Sequence, residues 1–255
     1  DLVREQHLWL SNQEVMALAK VLLESRAFSQ QETSQILDKL ILQCEPDNRN
    51  HIKAAIQNER YHYMPLQHGQ PLCDKLWELS LAVCTCRLVE IEYVRVGDDK
   101  PVKRIVEPQG LMFSEYYFYL IAYIQNVDKE FPAIYRLDRI SRYRILDAHF
   151  RSPYANRFEE GEFRKRVQFM NPAKLLQIKF RFWGVSLEAV LDRLPTARVV
   201  NQDDKTAIVE AEVYGKGIKM WLLSQAEFLE VLEPAEFRDE MRATVAAMMR
   251  VYGGN

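Results

Sequence analysis

Two hydrophobic periods divide this chain. As far as Cys86 the apolar residues recur every three or four positions, the spacing of a helix face packed on a core. Ser11 with Glu14 three residues on has the capping-box spacing, and Val15, Leu18, Ala19 and Leu22 make one stripe, which predicts a helix over 12–25. Ser29 caps a second helix whose stripe is Ile36, Leu37, Leu40 and Ile41. A short third helix covers 46–58, and Leu76, Leu79, Ala82 and Val83 mark a fourth. At Arg87 the period falls to two. Val89, Ile91 and Tyr93 alternate with Glu90 and Glu92, Gly-Asp-Asp-Lys-Pro makes a turn, and Val102–Pro108 returns as the second arm of a hairpin. A third strand is read over 110–124 and a fourth over 133–146. Several short strands with no helix between them argue a small curled sheet or barrel.

The segment 153–172 is polar and turn-rich near its middle, with a short helix at one end, and reads as a linker. Beyond it come a strand with Ile178, Phe180 and Phe182 in alternation, a helix stopped by Pro195, a hairpin about Asp203-Asp204, a helix, a strand ending at Pro234 and a long closing helix. The order β-α-β-β-α-β-α is that of an α+β sandwich, ferredoxin-like in its first six elements. The expected division is therefore 1–86 helical connector, 87–152 small barrel, 153–172 linker and 173–255 α+β domain.

Along Tyr117–Ile124 the alternation puts Phe118, Leu120, Ala122 and Ile124 on one side and Tyr117, Tyr119, Ile121 and Tyr123 on the other. Tyrosine packs well on sheets, so that second face is explained by packing alone unless its neighbours add something. The next strand adds arginines. Tyr135 and Leu137 alternate inward, Arg136 and Asp138 lie on the opposite side, and Arg139, Arg142 and Arg144 follow. If the two strands pair, tyrosines face arginines, and Arg104 on the second strand joins them. Aromatic faces beside guanidinium groups hold bases and phosphates. A structural ion pair between Arg136 and Asp138 is the plainer alternative.

The residues here carry a resemblance. Glu107–Ile124 followed by Tyr135–Ile140 resembles the middle domain of the WYL family of bacterial transcriptional regulators, named for a Trp-Tyr-Leu triplet that is Phe118-Tyr119-Leu120 in this chain. The run Arg136-Leu137-Asp138-Arg139-Ile140 fits the family pattern, as does the hairpin arm ending at Pro108 before Gly110-Leu111. Phenylalanine in place of tryptophan keeps the packing and removes the indole N–H. Residues 215–241 are similar to the C-terminal extension, of WCX type, that follows such domains, and 11–25 to the helical connector that precedes them. The resemblance implies an Sm-like, SH3-like five-stranded barrel that senses single-stranded nucleic acid or a nucleotide, cyclic nucleotides included, and a homodimer built by the connector and the C-terminal unit. It also implies operator DNA as a partner, read by an N-terminal winged helix-turn-helix; that domain is not in this sequence, and an opening Asp1 in place of methionine points to a fragment. Tyr119, Arg136 and Arg139 carry over as ligand-site residues. Tyr123, Arg104 and Ser114 are added from strand parity and loop position.

Composition removes other classes. A formal charge of −2 over 255 residues gives no global attraction to nucleic acid or membrane, so any basic site is local. No apolar run approaches a membrane span, and a cytoplasmic protein is expected. Cys44, Cys73, Cys84 and Cys86 match neither metal nor disulfide spacing, so no metal and no cofactor are expected. No phosphate loop or hydrolase motif occurs; Gly215-Lys216-Gly217 is too short for a nucleotide fingerprint, and His149 reads as a turn or core histidine, not a base. The reading is a ligand sensor without catalysis. A nucleotide-processing enzyme, working through His149 or Asp138, and a pure dimerisation module, working through the helices 12–25 and 235–251, are its alternatives.

Overall fold

The structure is a computed structural model, and it describes residues 10–97, 100–127, 131–151 and 158–253. The chain divides into two compact units, one up to Arg157 and one from Phe158. Both are of mixed α and β structure, each with one antiparallel sheet. No helix among the described residues is long and apolar enough to cross a membrane.

The first unit opens with three helices, α1 (Asn12–Ser25), α2 (Gln30–Gln43) and α3 (Arg49–Tyr61), the last preceded by a 3₁₀ turn at Pro46–Asn48. They close on Val15, Ala19, Leu23, Leu37, Ile41, Ile52 and Ile56. Both expected caps are present. Ser11 with Glu14 and Ser29 with Glu32 form reciprocal capping boxes. The fourth helix, α4 (Cys73–Cys84), has no cap of its own. Glu32 supplies it from α2: its Oε1 accepts the Leu72 and Cys73 backbone N–H groups, both at 2.8 Å. Burial raises the Glu32 carboxyl, but these amide bonds and the Ser29 hydroxyl together hold it below its ordinary value of 4.5. The folded carboxyl titrates below the unfolded one, so its contribution is full above that value and disappears as the pH falls through the lowered folded one. Glu32→Ala lowers stability by about 1–2 kcal/mol at neutral pH, as loss of a helix cap does, and the deficit fades in urea titrations at acid pH.

The sheet of the first unit contains β1 (Arg87–Tyr93), β2 (Val102–Ser114), β3 (Tyr117–Ile124), β4 (Ala133–Arg136) and β5 (Ile140–His149), in the order β4-β3-β2-β1-β5. Two expected strands are redrawn. The alternation over 110–124 runs through a turn at Glu115-Tyr116, where Glu115 takes the left-handed conformation, so Gly110–Ser114 belongs to β2. The run 133–146 breaks at a 3₁₀ turn, Leu137–Arg139, which carries the chain from one edge of the sheet to the other. A flat five-stranded sheet separates its outer strands by about 19 Å, whereas the four residue steps from Arg136 to Ile140 span about 14 Å at most. The sheet is therefore strongly curled. Tyr93 of β1 meets Tyr135 of β4 at 5.0 Å, although two strands lie between theirs in the sheet. No ladder joins β4 to β5 among the described residues, so the curl is not a hydrogen-bonded closed barrel. Inside it lie Val89, Ile91, Val106, Leu120, Ala122, Tyr135, Leu137 and Ile140, covered by Leu72, Leu79 and Ala82 of α4 and its lead-in.

The second unit contains α5 (Glu160–Arg166), β6 (Leu175–Phe182), α6 (Leu187–Arg193), β7 (Arg198–Gln202), β8 (Ala207–Tyr214), α7 (Gly215–Leu223), β9 (Leu229–Glu233) and α8 (Ala235–Tyr252). Its sheet order is β7-β8-β6-β9, with every pair antiparallel. Period-two alternation sends Ile178, Phe180, Val209, Ala211 and Val231 to a core shared with Val190, Ile218, Trp221 and Phe237 of the helices. The other face is a charge ladder, Lys179 to Glu210 and Glu233, Arg181 to Glu230 and Arg198 to Glu210. The short helix expected at one end of the linker is α5, which packs Phe163 on Tyr214 and pairs Arg166 with Glu212; residues 152–157 of that segment lie outside the described ones. Of the three methionines of α8, Met241 packs on the core, whereas Met248 and Met249 are exposed.

Candidate functional site

The first unit's sheet turns one side to its core and α4. The other side carries the tyrosines. On β3, Leu120 and Ala122 are buried in the core while Tyr117, Tyr119 and Tyr123 point away from it. β4 pairs with β3 so that Arg136 stands opposite Tyr119, and directly opposed residues of an antiparallel pair share a face. The Arg136 guanidinium lies 3.5 Å from the centroid of the Tyr117 ring, and Tyr117 and Tyr119 meet edge to face at 6.4 Å.

Asp138 fixes that guanidinium. Arg136 Nε and Nη2 donate to its two carboxylate oxygens at 3.0 and 2.7 Å, and the Asp138 side chain is 5% exposed against 23% for Arg136. The plainer sequence alternative, a structural ion pair, thus exists. It does not exhaust the residue: two of five guanidinium N–H donors are used, leaving three without a hydrogen bond among the described residues on a group placed over an aromatic ring. The 3₁₀ turn that carries Asp138 is pinned from α4. Lys75 Nζ donates to the Leu137 and Ile140 carbonyls at 3.0 and 2.7 Å, and burial lowers the Lys75 ammonium. Burial also pushes the Tyr119 phenol up to about 12, with Arg136 opposing, and pushes Tyr123 up. Both stay neutral donors at physiological pH.

His68, from the segment between α3 and α4, completes the cluster. Its Nδ1 accepts the Gln70 backbone N–H at 3.0 Å, which puts the ring proton on Nε2, and that atom is shut off from solvent without a partner among the described residues. Burial lowers the imidazole most; Asp138 and Glu32 oppose this, while Arg136 and Lys75 reinforce it. No sequence signal marked this residue, because it stands in a loop between Pro65 and Pro71, remote in sequence from the arginines. His149, the histidine that sequence proximity singles out, is exposed at the end of β5 opposite Arg87.

The six sequence-derived site residues fall in three places. Tyr119 and Arg136 are brought together, Ser114 stands opposite Tyr117 at the hairpin end of the same face, and Tyr123 lies farther along it opposite Glu107. Arg139 sits on the 3₁₀ turn, its carbonyl accepting Val94 N–H at 3.1 Å. Arg104 does not join the tyrosines. It pairs with Ile91, a core residue, and so faces the inside of the curl. Arg142 and Arg144 pair with Glu92 and Glu90 on β1, at the far end of the strand order.

The family model of the WYL domain matches residues 74–145, and that of the WCX domain matches residues 174–249. The comparison with curated proteins returns no match. Among solved structures, proteasome accessory factor B/C (PafBC) of Arthrobacter aurescens is 14% identical with a TM-score of 0.37, over 96% of this chain and 36% of that one. A CRISPR Cas-related protein is 15% identical with a TM-score of 0.46, over 85% and 61%. This chain therefore spans less than two thirds of either, and superpositions this loose support nothing further. A WYL domain followed by a WCX domain accounts for more than half of the sequence, and by that composition the chain belongs to the WYL-domain proteins.

Proposed function

We propose that this chain is the effector-sensing part of a bacterial transcriptional regulator, and that it binds single-stranded nucleic acid or a nucleotide on the Tyr117–Tyr119–Arg136 face of its WYL domain. The observation that carries the reading is the Arg136 guanidinium, stacked on Tyr117 and oriented by Asp138 with three donors unspent. Stacking holds a base, and the remaining donors suit a phosphate. The strong curl of the first sheet supports the Sm-like reading, and the β7-β8-β6-β9 order with α6 and α7 between strands supports the ferredoxin-like one. A sensor needs no catalysis. The Tyr119 phenol is pushed up to about 12 and the Cys73 thiol to about 11, both chiefly by burial, which removes them as proton-transfer groups or nucleophiles near neutral pH.

Binding acts on a cytoplasmic homodimer whose winged helix-turn-helix, outside this sequence, meets the operator; effector affinity differs between the DNA-competent and incompetent states. Fluorescence anisotropy of the chain with short labelled single-stranded DNA and RNA at two salt concentrations tests the reading. Salt-sensitive binding that weakens by about fivefold or more in Tyr117→Leu, as loss of a stacking partner worth about 1–3 kcal/mol requires, supports it. Binding of equal strength in that variant sinks it.

A further inference from the structure

We propose that Arg104 and the Tyr135 hydroxyl form a second anion site, inside the curl and on the opposite face of the sheet from Arg136, that takes a single phosphate group. Arg104 is a half-buried arginine on the core side of β2, in register with Ile91. Arg136 has Asp138 for its charge; Arg104 forms no ion pair with a carboxylate among the described residues, and its guanidinium is directed at the Tyr135 hydroxyl. Its one close polar neighbour is a second donor. Tyr135 is 4% exposed, its ring meets Tyr93 edge to face at 5.0 Å, and Arg104 acts directly on its hydroxyl. That hydroxyl is nonetheless shut off from solvent and closes no well-formed hydrogen bond.

Arg104 and, more weakly, Arg95 favour a negative charge at the phenol, the neighbouring Tyr93 opposes it, and no carboxylate acts on it. Burial, the largest influence, pushes the phenol up, so it keeps its proton and remains a donor. The guanidinium keeps N–H groups beyond the one directed at the phenol, and the phenolic O–H itself has no acceptor among the described residues. Buried donors are almost always paired, and an unpaired one calls for an explanation, a bound ion being one. What satisfies both at once is an acceptor with several oxygens and a negative charge. Phosphate meets that need with oxygens left to face solvent through the exposed side of Arg104. A carboxylate shares the chemistry but offers two oxygens only.

The test is a titration of the whole chain, ¹⁵N-labelled at arginine, with inorganic phosphate, with acetate and with chloride at matched ionic strength. The Arg104 Nε–H resonance is the one missing from Arg104→Met. The proposal expects it to shift saturably with phosphate, more weakly with acetate and not with chloride. Tyr135→Phe keeps the ring against Tyr93, and so the fold, and weakens phosphate by about tenfold or more, as removal of one hydrogen bond to a charged group does. Arg136→Ala/Asp138→Ala leaves the Arg104 response unchanged, which separates this site from the outer face. A resonance that follows ionic strength alone, or equal phosphate affinity in Tyr135→Phe, overturns the proposal.

Discussion

Arg136→Ala destabilises the first unit by about 3 kcal/mol at neutral pH, more than the deletion of a solvent-exposed ion pair ever costs. The reason lies in the partner left behind. The Asp138 side chain is 5% exposed, and both its oxygens are held by Arg136. Removing the guanidinium leaves a buried carboxylate without its hydrogen-bonded cation, a change that costs about 3–5 kcal/mol in protein interiors and is moderated here by the nearby Lys75 ammonium. Arg136 itself is 23% exposed, so solvent screens part of the pair and the lower end applies. The double variant Arg136→Ala/Asp138→Ala removes the stranded charge and recovers most of the loss. Urea titrations of the wild type, the two single variants and the double variant give the coupling directly. Equal losses in Arg136→Ala and the double variant would show that Asp138 is satisfied without Arg136.

Gly217→Ala is expected to cost at least about 3 kcal/mol in the second unit. A Cβ at this position would lie 1.8 Å from the Gln168 carbonyl oxygen and 2.7 Å from its carbon. Both are backbone atoms, so no rotamer change relieves the clash. The segment cannot withdraw cheaply either. Gly217 N–H donates to the Asn171 carbonyl at 3.0 Å and Gly215 N–H to the Lys174 carbonyl at 3.1 Å, tying the first turn of α7 to the 168–174 segment. Adjacent Ile218, Trp221 and Leu222 then lose their places in the core. Gly161→Ala is the control. Gly161 sits in α5 with nothing within 4 Å of an added Cβ, and the alanine raises stability by about 0.5–1 kcal/mol through backbone entropy. Calorimetry that finds the two substitutions alike would refute the close approach at Gly217.

What the sequence made legible was local. The Ser11 and Glu14 spacing placed α1 over 12–25, where the structure has it, because a capping box is written in four consecutive residues. Strand parity separated Leu120 and Ala122 from Tyr117 and Tyr119, because alternation is a property of the strand alone. Breaks in that alternation were hidden. Glu115 turns the β2–β3 hairpin in the left-handed conformation without the glycine or asparagine that usually announces it. Leu137 in the turn keeps the parity of Tyr135 before it and of Tyr143 and Ile145 after it, so β4 and β5 read as one strand even though buried Ile140 breaks that parity. The face of Arg104 was available: it lies two residues before Val106, a core residue, and an arginine on core parity is itself a signal. His68 and the cap that Glu32 gives α4 depend on contacts between remote segments, which one sequence does not display.

The central claim is that the Tyr117–Arg136 face holds the effector, and the double variant Arg136→Ala/Asp138→Ala tests it most directly, since it removes the cation without stranding a buried charge. The measurement is anisotropy of labelled single-stranded DNA and RNA, and of a fluorescent cyclic dinucleotide, against wild type and variant at low and moderate salt. The account predicts salt-sensitive binding of at least one probe by the wild type and its loss, by tenfold or more, in a variant that melts as a folded protein. Wild-type affinity retained by the folded variant, or no binding of any probe by the wild type, would contradict it.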